Sequence, residues 1–205
     1  QFSVVYQAKV EIREGRVVGA EALLRWQHPV HGDISPDLFI PTAEETGAID
    51  ALTRWTLRQA IADQAQLQAA GIDIPISINA SGRSISDPEF FPHVIEVVRQ
   101  SAARICVEVT ETAIIADPVA AIASIAALKA AGIGVSVDDY GSGLSSLSYL
   151  KQLEADELKI DKSLVCDSPT SPRHQLILKS TIDLAHGLGM TVVAEGVESE
   201  PVRIL

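Results

Sequence analysis

Short apolar runs rich in β-branched residues alternate along the chain with segments of helical periodicity. The first two runs, "VVYQAKVEI" and "RVVGAEALLRW", flank the glycine-containing stretch "REG", which predicts a β-hairpin. A long helical pattern then extends from about residue 49 to 70. Five further strand segments follow it: "IPISIN", "ICVEVTE", "GVSVDD", "ELKID" and "TVVAEG". The pattern therefore predicts seven strands, an antiparallel start and then a repeating βα unit.

Proline and glycine mark the predicted helix ends. "DP" and "SP" pairs put a capping side chain before proline, which predicts helices from Pro88, Pro118 and Pro172. A short helical stretch, "SSLSYLKQL", precedes "ELKID". Glycines that would close helices stand at positions 71, 132, 187 and 189. Because the strands are apolar nearly throughout, as parallel strands covered on both faces are, we expect an α/β layer or barrel without an internal domain boundary.

Polar side chains interrupt or end most of the predicted strands. They are Glu21, Asn79, Glu108, Asp138, Asp139, Lys159, Asp161 and Glu195. In α/β barrels the carboxyl ends of the strands carry the catalytic groups, so these side chains are expected to converge on one centre. Any one of these residues could equally well be a strand-terminal residue that is exposed to solvent. That interpretation explains the whole set poorly.

Carboxylates that converge in a region of low dielectric repel one another unless cations neutralise them. A set of carboxylates with one asparagine and no cysteine or histidine suits Mg²⁺ or Mn²⁺. Two such ions, about 3.5 to 4 Å apart, would reverse the local charge, generate hydroxide and clamp an in-line displacement at a phosphate ester. The adjacent Asp138 and Asp139 are placed to hold them.

Composition narrows the class of protein. The chain has 205 residues, 47% of them hydrophobic, and a net charge of −11, which disfavours a nucleic-acid-binding surface. The sequence shows neither an apolar run long enough for a membrane span nor a signal peptide. Cys106 and Cys166 lack the spacing of a zinc site or a disulfide framework, and the five histidines are dispersed. We expect a soluble chain in the cytoplasm, either by itself or as the cytoplasmic part of a larger sensor protein.

Six motifs carry a family resemblance. In order they are "EALLRWQHP", "INAS", "VEVTE", "DDYGSGLSSLSYL", "LKID" and "VAEGVE". They closely resemble the successive motifs of EAL-domain cyclic-di-GMP phosphodiesterases, and the resemblance covers nearly the whole chain. It implies a modified (β/α)8 TIM-type barrel whose first strand is antiparallel. It also implies a reaction in which cyclic-di-GMP, a bacterial second messenger, is opened to linear pGpG.

The resemblance also implies a set of metal ligands. These are Glu21, Asn79, Glu108 and Asp138, with Asp139 and Glu195 serving a second metal or its waters. Lys159 would hold the attacking water or stabilise charge on the phosphate. Glu111 would anchor the loop that begins at Tyr140, and Arg25 would bind a substrate phosphate. The further positions that it implies, in contact with the substrate or in support of the site, are Gln7, Leu24, Asp161 and Glu198.

The sequence departs from the family pattern in a few places. Ala8 replaces the family's proline after Gln7, and "DDYGSGLSSL" replaces "DDFGTGYSSL", which places Leu144 where the family has a tyrosine. The chain ends at "ESEPVRIL", so we expect it to lack the eighth strand and last helix of the barrel. Unpaired edges in a seven-stranded sheet would favour aggregation.

Two alternatives to the phosphodiesterase stay open. One is a regulatory module that binds cyclic-di-GMP without cleaving it. The other is a barrel aldolase in which Lys159 forms a Schiff base, which requires a lowered lysine pKa. Expected partners are cyclic-di-GMP, a second copy of the chain in a homodimer, and an attached diguanylate cyclase or sensory module.

Overall fold

A computed structural model describes residues 1–143, 147–166, 171–198 and 202–203. Within them the chain forms eight strands and nine helices. The strands are β1 (Phe2–Val10), β2 (Val17–His28), β3 (Gly32–Ile34), β4 (Ile76–Ala80), β5 (Ile105–Thr110), β6 (Gly134–Tyr140), β7 (Glu157–Ile160) and β8 (Thr191–Ala194). The helices are α1 (Pro36–Thr46), α2 (Ile49–Ala69), α3 (Gly82–Ser86), α4 (Phe90–Arg99), α5 (Glu111–Ala116), α6 (Pro118–Ala130), α7 (Leu147–Leu150), α8 (Lys162–Cys166) and α9 (Pro172–Gly187).

All eight strands belong to one sheet. Its order is β1-β2-β4-β5-β6-β7-β8, with β3 paired to the outer end of β2. β1 is antiparallel to β2, and every pairing from β2 to β8 along this order is parallel. The sheet is curled, since Lys9 on β1 reaches Glu157 on β7 and bonds to it at 2.5 Å, although four strands separate β1 from β7 in the sheet order. This arrangement confirms the predicted α/β, TIM-barrel-like fold with an antiparallel first strand, and all seven predicted strands are present.

Two of the three predicted helix starts are confirmed by their capping bonds. Asp117 accepts a hydrogen bond from the Ala120 backbone at 3.1 Å, and Ser171 accepts one from the His174 backbone at 3.3 Å. The start predicted at Pro88 is wrong, because α4 begins at Phe90. The Asp87 side chain instead accepts from the Glu89 backbone at 2.9 Å, which holds residues 87–89 in a turn before the helix.

Of the other predicted helices and helix-terminal glycines, most are confirmed and one is wrong. The helix over residues 49–70 is confirmed, and α7 lies within the predicted short helix. Gly71, Gly132 and Gly189 have positive φ angles just beyond their helices, whereas Gly187 is the last residue of α9 and does not terminate it. The sequence pattern missed β3 and helices α1, α3, α5 and α8. Leu144 and most of the terminal segment "ESEPVRIL" lie outside the described residues.

Alternation along the parallel strands builds two environments. On β5, Val107 and Val109 are buried in the hydrophobic core that the helices cover, while Glu108 between them lies on the opposite face of the sheet. β6 repeats this pattern with Val135 and Val137 around a buried Ser136. The inside of the curled sheet is therefore polar. The expectation that both faces of these strands are apolar is correct only for the face that the helices cover.

Among the described helices, we find none that combines the length and the apolar character needed to cross a lipid bilayer.

Candidate active site

The candidate site is built around the ammonium group of Lys159, on β7. The side chain is almost completely buried, with 2% of the residue exposed. Its Nζ atom lies 3.0 Å from Glu21, 2.8 Å from Glu108, 3.0 Å from Asp138 and 3.0 Å from Glu195. These carboxylates come from β2, β5, β6 and the residue after β8, so the curled sheet brings together side chains from distant parts of the chain.

The carboxylates set the charge state of the lysine. Burial by itself would lower the pKa of Lys159, but the negative charges around it, led by Glu108 and Asp138, raise that pKa above its ordinary value. The ammonium form is therefore stabilised. An aldolase needs a lysine with a lowered pKa, so this environment contradicts the Schiff-base alternative.

Glu108 lies between two lysines. Its Oε2 atom accepts from Lys159 at 2.8 Å, and its Oε1 atom accepts from Lys9 at 2.8 Å. Burial alone would raise the pKa of Glu108, but the two ammonium charges outweigh it and lower that pKa. The sequence analysis missed Lys9, although it stands two residues after Gln7 and so shares its face of β1.

Asp138 and Asp139 lie near the end of β6, and the pKa values of both are raised. Burial and the neighbouring Glu108 charge raise the pKa of Asp138 to about 7. Burial and the charges of Glu195 and Asp161 raise the pKa of Asp139. Asp139 has a φ of 55°, which is uncommon for a residue other than glycine, and its backbone donates to Asp138 at 2.8 Å. Both carboxyls therefore lie where a bound cation would offset the cost of ionisation.

Two groups of carboxylates have the spacing of metal ligands. Glu21, Glu108 and Asp138 form the first, and Asp138, Asp139 and Glu195 form the second, with ligand atoms in each group within 4.8 Å of one another. Asp138 is common to both. The Asn79 amide donates to Glu21 at 2.8 Å, so this side chain contacts a member of the first group. These oxygen donors fit Mg²⁺ or Mn²⁺.

Glu111 is the first residue of α5 and is buried, with 7% exposed. Its Oε2 atom accepts a hydrogen bond from the Gly141 backbone at 3.1 Å. Gly141 has a φ of 92°, and a Cβ atom there would lie 2.1 Å from Leu164 Cδ1, so any other residue would have a strained backbone and would displace the Leu164 side chain. Glu111 thus bonds to the start of the loop that follows the paired aspartates, at the place expected for an anchor.

The predicted substrate residues are more scattered. Gln7 lies directly opposite Glu21 in the β1-β2 ladder. Arg25 is further along β2, and its guanidinium donates to the Leu24 carbonyl at 2.9 Å. The remaining two positions are Asp161, whose carboxylate accepts from the Ser163 backbone at 2.9 Å, and Glu198, which is exposed beyond β8. The structure therefore brings the predicted metal ligands and Lys159 together. Substrate contacts at the five predicted positions stay predictions.

Comparison with known proteins gives consistent similarities. A family model described as the EAL domain matches residues 1–203. A cyclic di-GMP phosphodiesterase of Pseudomonas aeruginosa is 37% identical over 201 residues, which cover 97% of this chain and 34% of that protein. An uncharacterized protein of Mycobacterium tuberculosis is 39% identical over 208 residues, covering 98% of this chain and 33% of that protein. The chain spans about a third of the length of these curated relatives.

Solved structures agree with the fold. The PaMucR phosphodiesterase in complex with c-di-GMP has a TM-score of 0.91 and 36% identity, over 100% of this chain and 84% of that chain. The EAL enzyme Bd1971 with cAMP and cyclic-di-GMP bound has a TM-score of 0.90 and 32% identity, over 99% of this chain and 57% of that chain. With the family model matching almost every residue, the chain belongs to the EAL domain family.

Proposed function

We propose that this domain hydrolyses cyclic-di-GMP to linear pGpG in a reaction that depends on Mg²⁺ or Mn²⁺, with two ions bound. The observation that supports it most is the cluster of five carboxylates around Lys159, in two groups that share Asp138. Membership of the EAL domain family and the similarity to named cyclic di-GMP phosphodiesterases support the choice of substrate.

In this proposal the strand ends hold the metals. Glu21, Asn79, Glu108 and Asp138 would hold the first ion, and Asp138, Asp139 and Glu195 would hold the second or its waters. Bound divalent ions supply positive charge for the phosphate oxygens and lower the pKa of water, which makes hydroxide available near neutral pH. The ligands also need that charge. Among the described residues, the five carboxylates of the two groups and Glu157 lie around two ammonium groups, those of Lys159 and Lys9, so four negative charges stay uncompensated if all six are ionised.

Lys159 contacts members of both groups of carboxylates. We assign it the task of orienting the attacking water and stabilising the negative charge that develops on the phosphate. A preorganised ammonium in a site of low dielectric is worth far more to a transition state than the same charge in water. Arg25, on the same strand as Glu21, would hold a phosphate of the substrate.

A domain that binds cyclic-di-GMP without cleaving it is the competing outcome. A turnover assay and a binding titration on the same preparation, each with Mg²⁺ and with excess chelator, separate the two. The phosphodiesterase predicts linear pGpG with Mg²⁺ and none with chelator. Binding without product in either condition would assign the chain to the regulatory class.

We further propose that the domain acts in the cytoplasm as part of a longer protein, attached to a diguanylate cyclase or sensory module, and that it forms homodimers. In this proposal the segment 140–153, of which residues 144–146 lie outside the described residues, contacts the second copy, and the bond from Gly141 to Glu111 couples that contact to the site. Analytical ultracentrifugation over a range of concentrations tests this, and a single monomeric species at every concentration would contradict it.

A further inference from the structure

A second polar layer lies directly beneath the candidate site. Ser77, Ser136 and Glu157 each stand two residues before a member of the site on the same strand, and residues two apart on a strand share a face. Lys9 reaches into this layer from β1. Its Nζ atom bonds to Ser77 at 2.9 Å, to Glu108 at 2.8 Å and to Glu157 at 2.5 Å.

We propose that Lys9 is a positioning residue for the metal centre, which fixes the Glu108 carboxylate so that only its Oε2 atom faces the site. The part of this inference that concerns turnover rests on the proposed phosphodiesterase function. The part that concerns metal affinity stands without it.

The geometry of Glu108 carries the argument. The side chain is fully buried, and its two oxygens bond to different lysines on opposite sides. Rotation of the carboxylate away from this orientation would break both charge-assisted bonds of a side chain that has no exposed surface, so this orientation is strongly favoured. Oε1 bonds to Lys9, and Oε2 bonds to Lys159, whose ammonium group also contacts Glu21 and Asp138.

The two lysines differ in how many acceptors surround the three N–H donors of each ammonium group. An ammonium group has three donors, and Lys9 has three acceptors, which come from β4, β5 and β7. Lys9 is therefore held on three sides. Lys159 has three donors for four carboxylates, so one of those carboxylates is always without a donor from it. Lys9 is thus suited to hold a ligand still, and Lys159 to exchange partners.

A purely structural role for Lys9 is the alternative, since its bond to Glu157 also ties β1 to β7. A structural lysine would affect the melting temperature and leave the metal site unchanged. A positioning lysine acts through Glu108, so its effect on metal affinity must vanish when Glu108 can no longer serve as an ionised ligand.

The test measures Mn²⁺ affinity by calorimetry for wild type, Lys9→Met, Glu108→Gln and the double variant, with melting curves for each. We expect Lys9→Met to weaken Mn²⁺ binding by about 10-fold to 100-fold, the range for loss of a partner behind a metal ligand. In the Glu108→Gln background the same change should have no further effect. Lys129→Met is the matched control, because Lys129 pairs with a half-exposed Asp156 outside the site; its Mn²⁺ affinity should equal that of wild type.

Turnover and a second variant complete the test. Lys9→Met should lower kcat by a similar factor with a smaller change in KM, and Lys9→Arg, which keeps the charge and the donors, should recover part of both losses. Glu157→Gln, which weakens the support of Lys9 and keeps Lys9 itself, should show a smaller loss in the same direction and serves if Lys9→Met does not fold. Unchanged Mn²⁺ affinity in the folded variants, or an equal loss in the Glu108→Gln background, would overturn the proposal. If wild type binds Mn²⁺ but forms no product, the phosphodiesterase fails while the affinities still decide the role of Lys9.

Discussion

The Lys159 ammonium and the Glu108 carboxylate lie 2.8 Å apart, and both side chains are at least 97% shielded from solvent. Removing one partner of a buried ion pair leaves an uncompensated charge and commonly costs about 3 to 5 kcal/mol. Because Lys159 contacts three further carboxylates, it contributes to the stability of the metal-free site as well as to the proposed chemistry.

Replacement of Lys159 by methionine separates these two contributions. We expect the metal-free Lys159→Met variant to melt at a lower temperature than wild type, and Mg²⁺ to recover much of that loss because it neutralises the same carboxylates. Turnover of cyclic-di-GMP at saturating Mg²⁺ should still fall by on the order of 10²-fold or more, the scale of one preorganised stabilising group. Near wild-type turnover at saturating metal would show that the lysine is only structural.

The raised pKa of Asp138 predicts a pH dependence of the metal-free fold. Its pKa is about 7 in the folded state, above the ordinary value of about 3.9, so the folded state holds this proton more tightly. Its contribution to stability is therefore fully present below about pH 4 and is lost as the pH rises through 7. Urea unfolding in excess chelator, from pH 5 to 8, should show wild type losing stability relative to Asp138→Asn. Parallel curves for the two proteins would contradict this.

The Gly141 conformation predicts a position-specific effect of alanine. Gly141→Ala imposes a positive φ on a residue that disfavours it, at a cost of roughly 1 to 2 kcal/mol, and its added Cβ atom, 2.1 Å from Leu164 Cδ1, forces that side chain to shift. We expect a lower melting temperature and reduced turnover. Gly143→Ala is the matched control, because among the described residues nothing lies within 4 Å of its added Cβ. Equal behaviour of the two variants would refute the assignment.

Glu111 offers a test of the link between the loop and the site. Glu111→Ala leaves the Gly141 backbone donor without its 3.1 Å acceptor but removes none of the proposed metal ligands. We expect turnover at low Mg²⁺ to fall more than turnover at saturating Mg²⁺, together with a change in the dimer dissociation constant. A variant whose metal titration and self-association both match wild type would exclude this coupling.

Strand ends were the part of the site that the sequence could predict. Glu21, Glu108 and Asp138 follow or interrupt β-branched runs, and parallel strands must bring such positions to one side of the sheet. The motif resemblance assigned roles to these residues, which the pattern alone could not do. The positions of Asn79, Lys159 and Glu195 in the structure agree with the predicted convergence.

Lys9 shows where sequence reasoning fell short. In "VVYQAKVEI" it is a single cation on an antiparallel strand, which is typical of a solvated edge. Its burial depends on how far the sheet curls to bring β1 near Glu157 on β7, 148 residues later in the chain, and a strand pattern carries no information on that closure. The helix start predicted at Pro88 was wrong for a local reason, because the Asp87 side chain stabilises a turn as readily as a helix start.

The measurement that tests the central claim most directly is the appearance of linear pGpG from cyclic-di-GMP, followed by chromatography, with Mg²⁺ and then with excess chelator. The Glu21→Gln variant, which keeps the size of the side chain and removes one ligand charge, is run beside wild type. We predict product with Mg²⁺, none with chelator, and a loss of most turnover in Glu21→Gln with the fold retained, because the metal charge supplies several kcal/mol to the transition state. Undiminished hydrolysis in excess chelator would contradict the account.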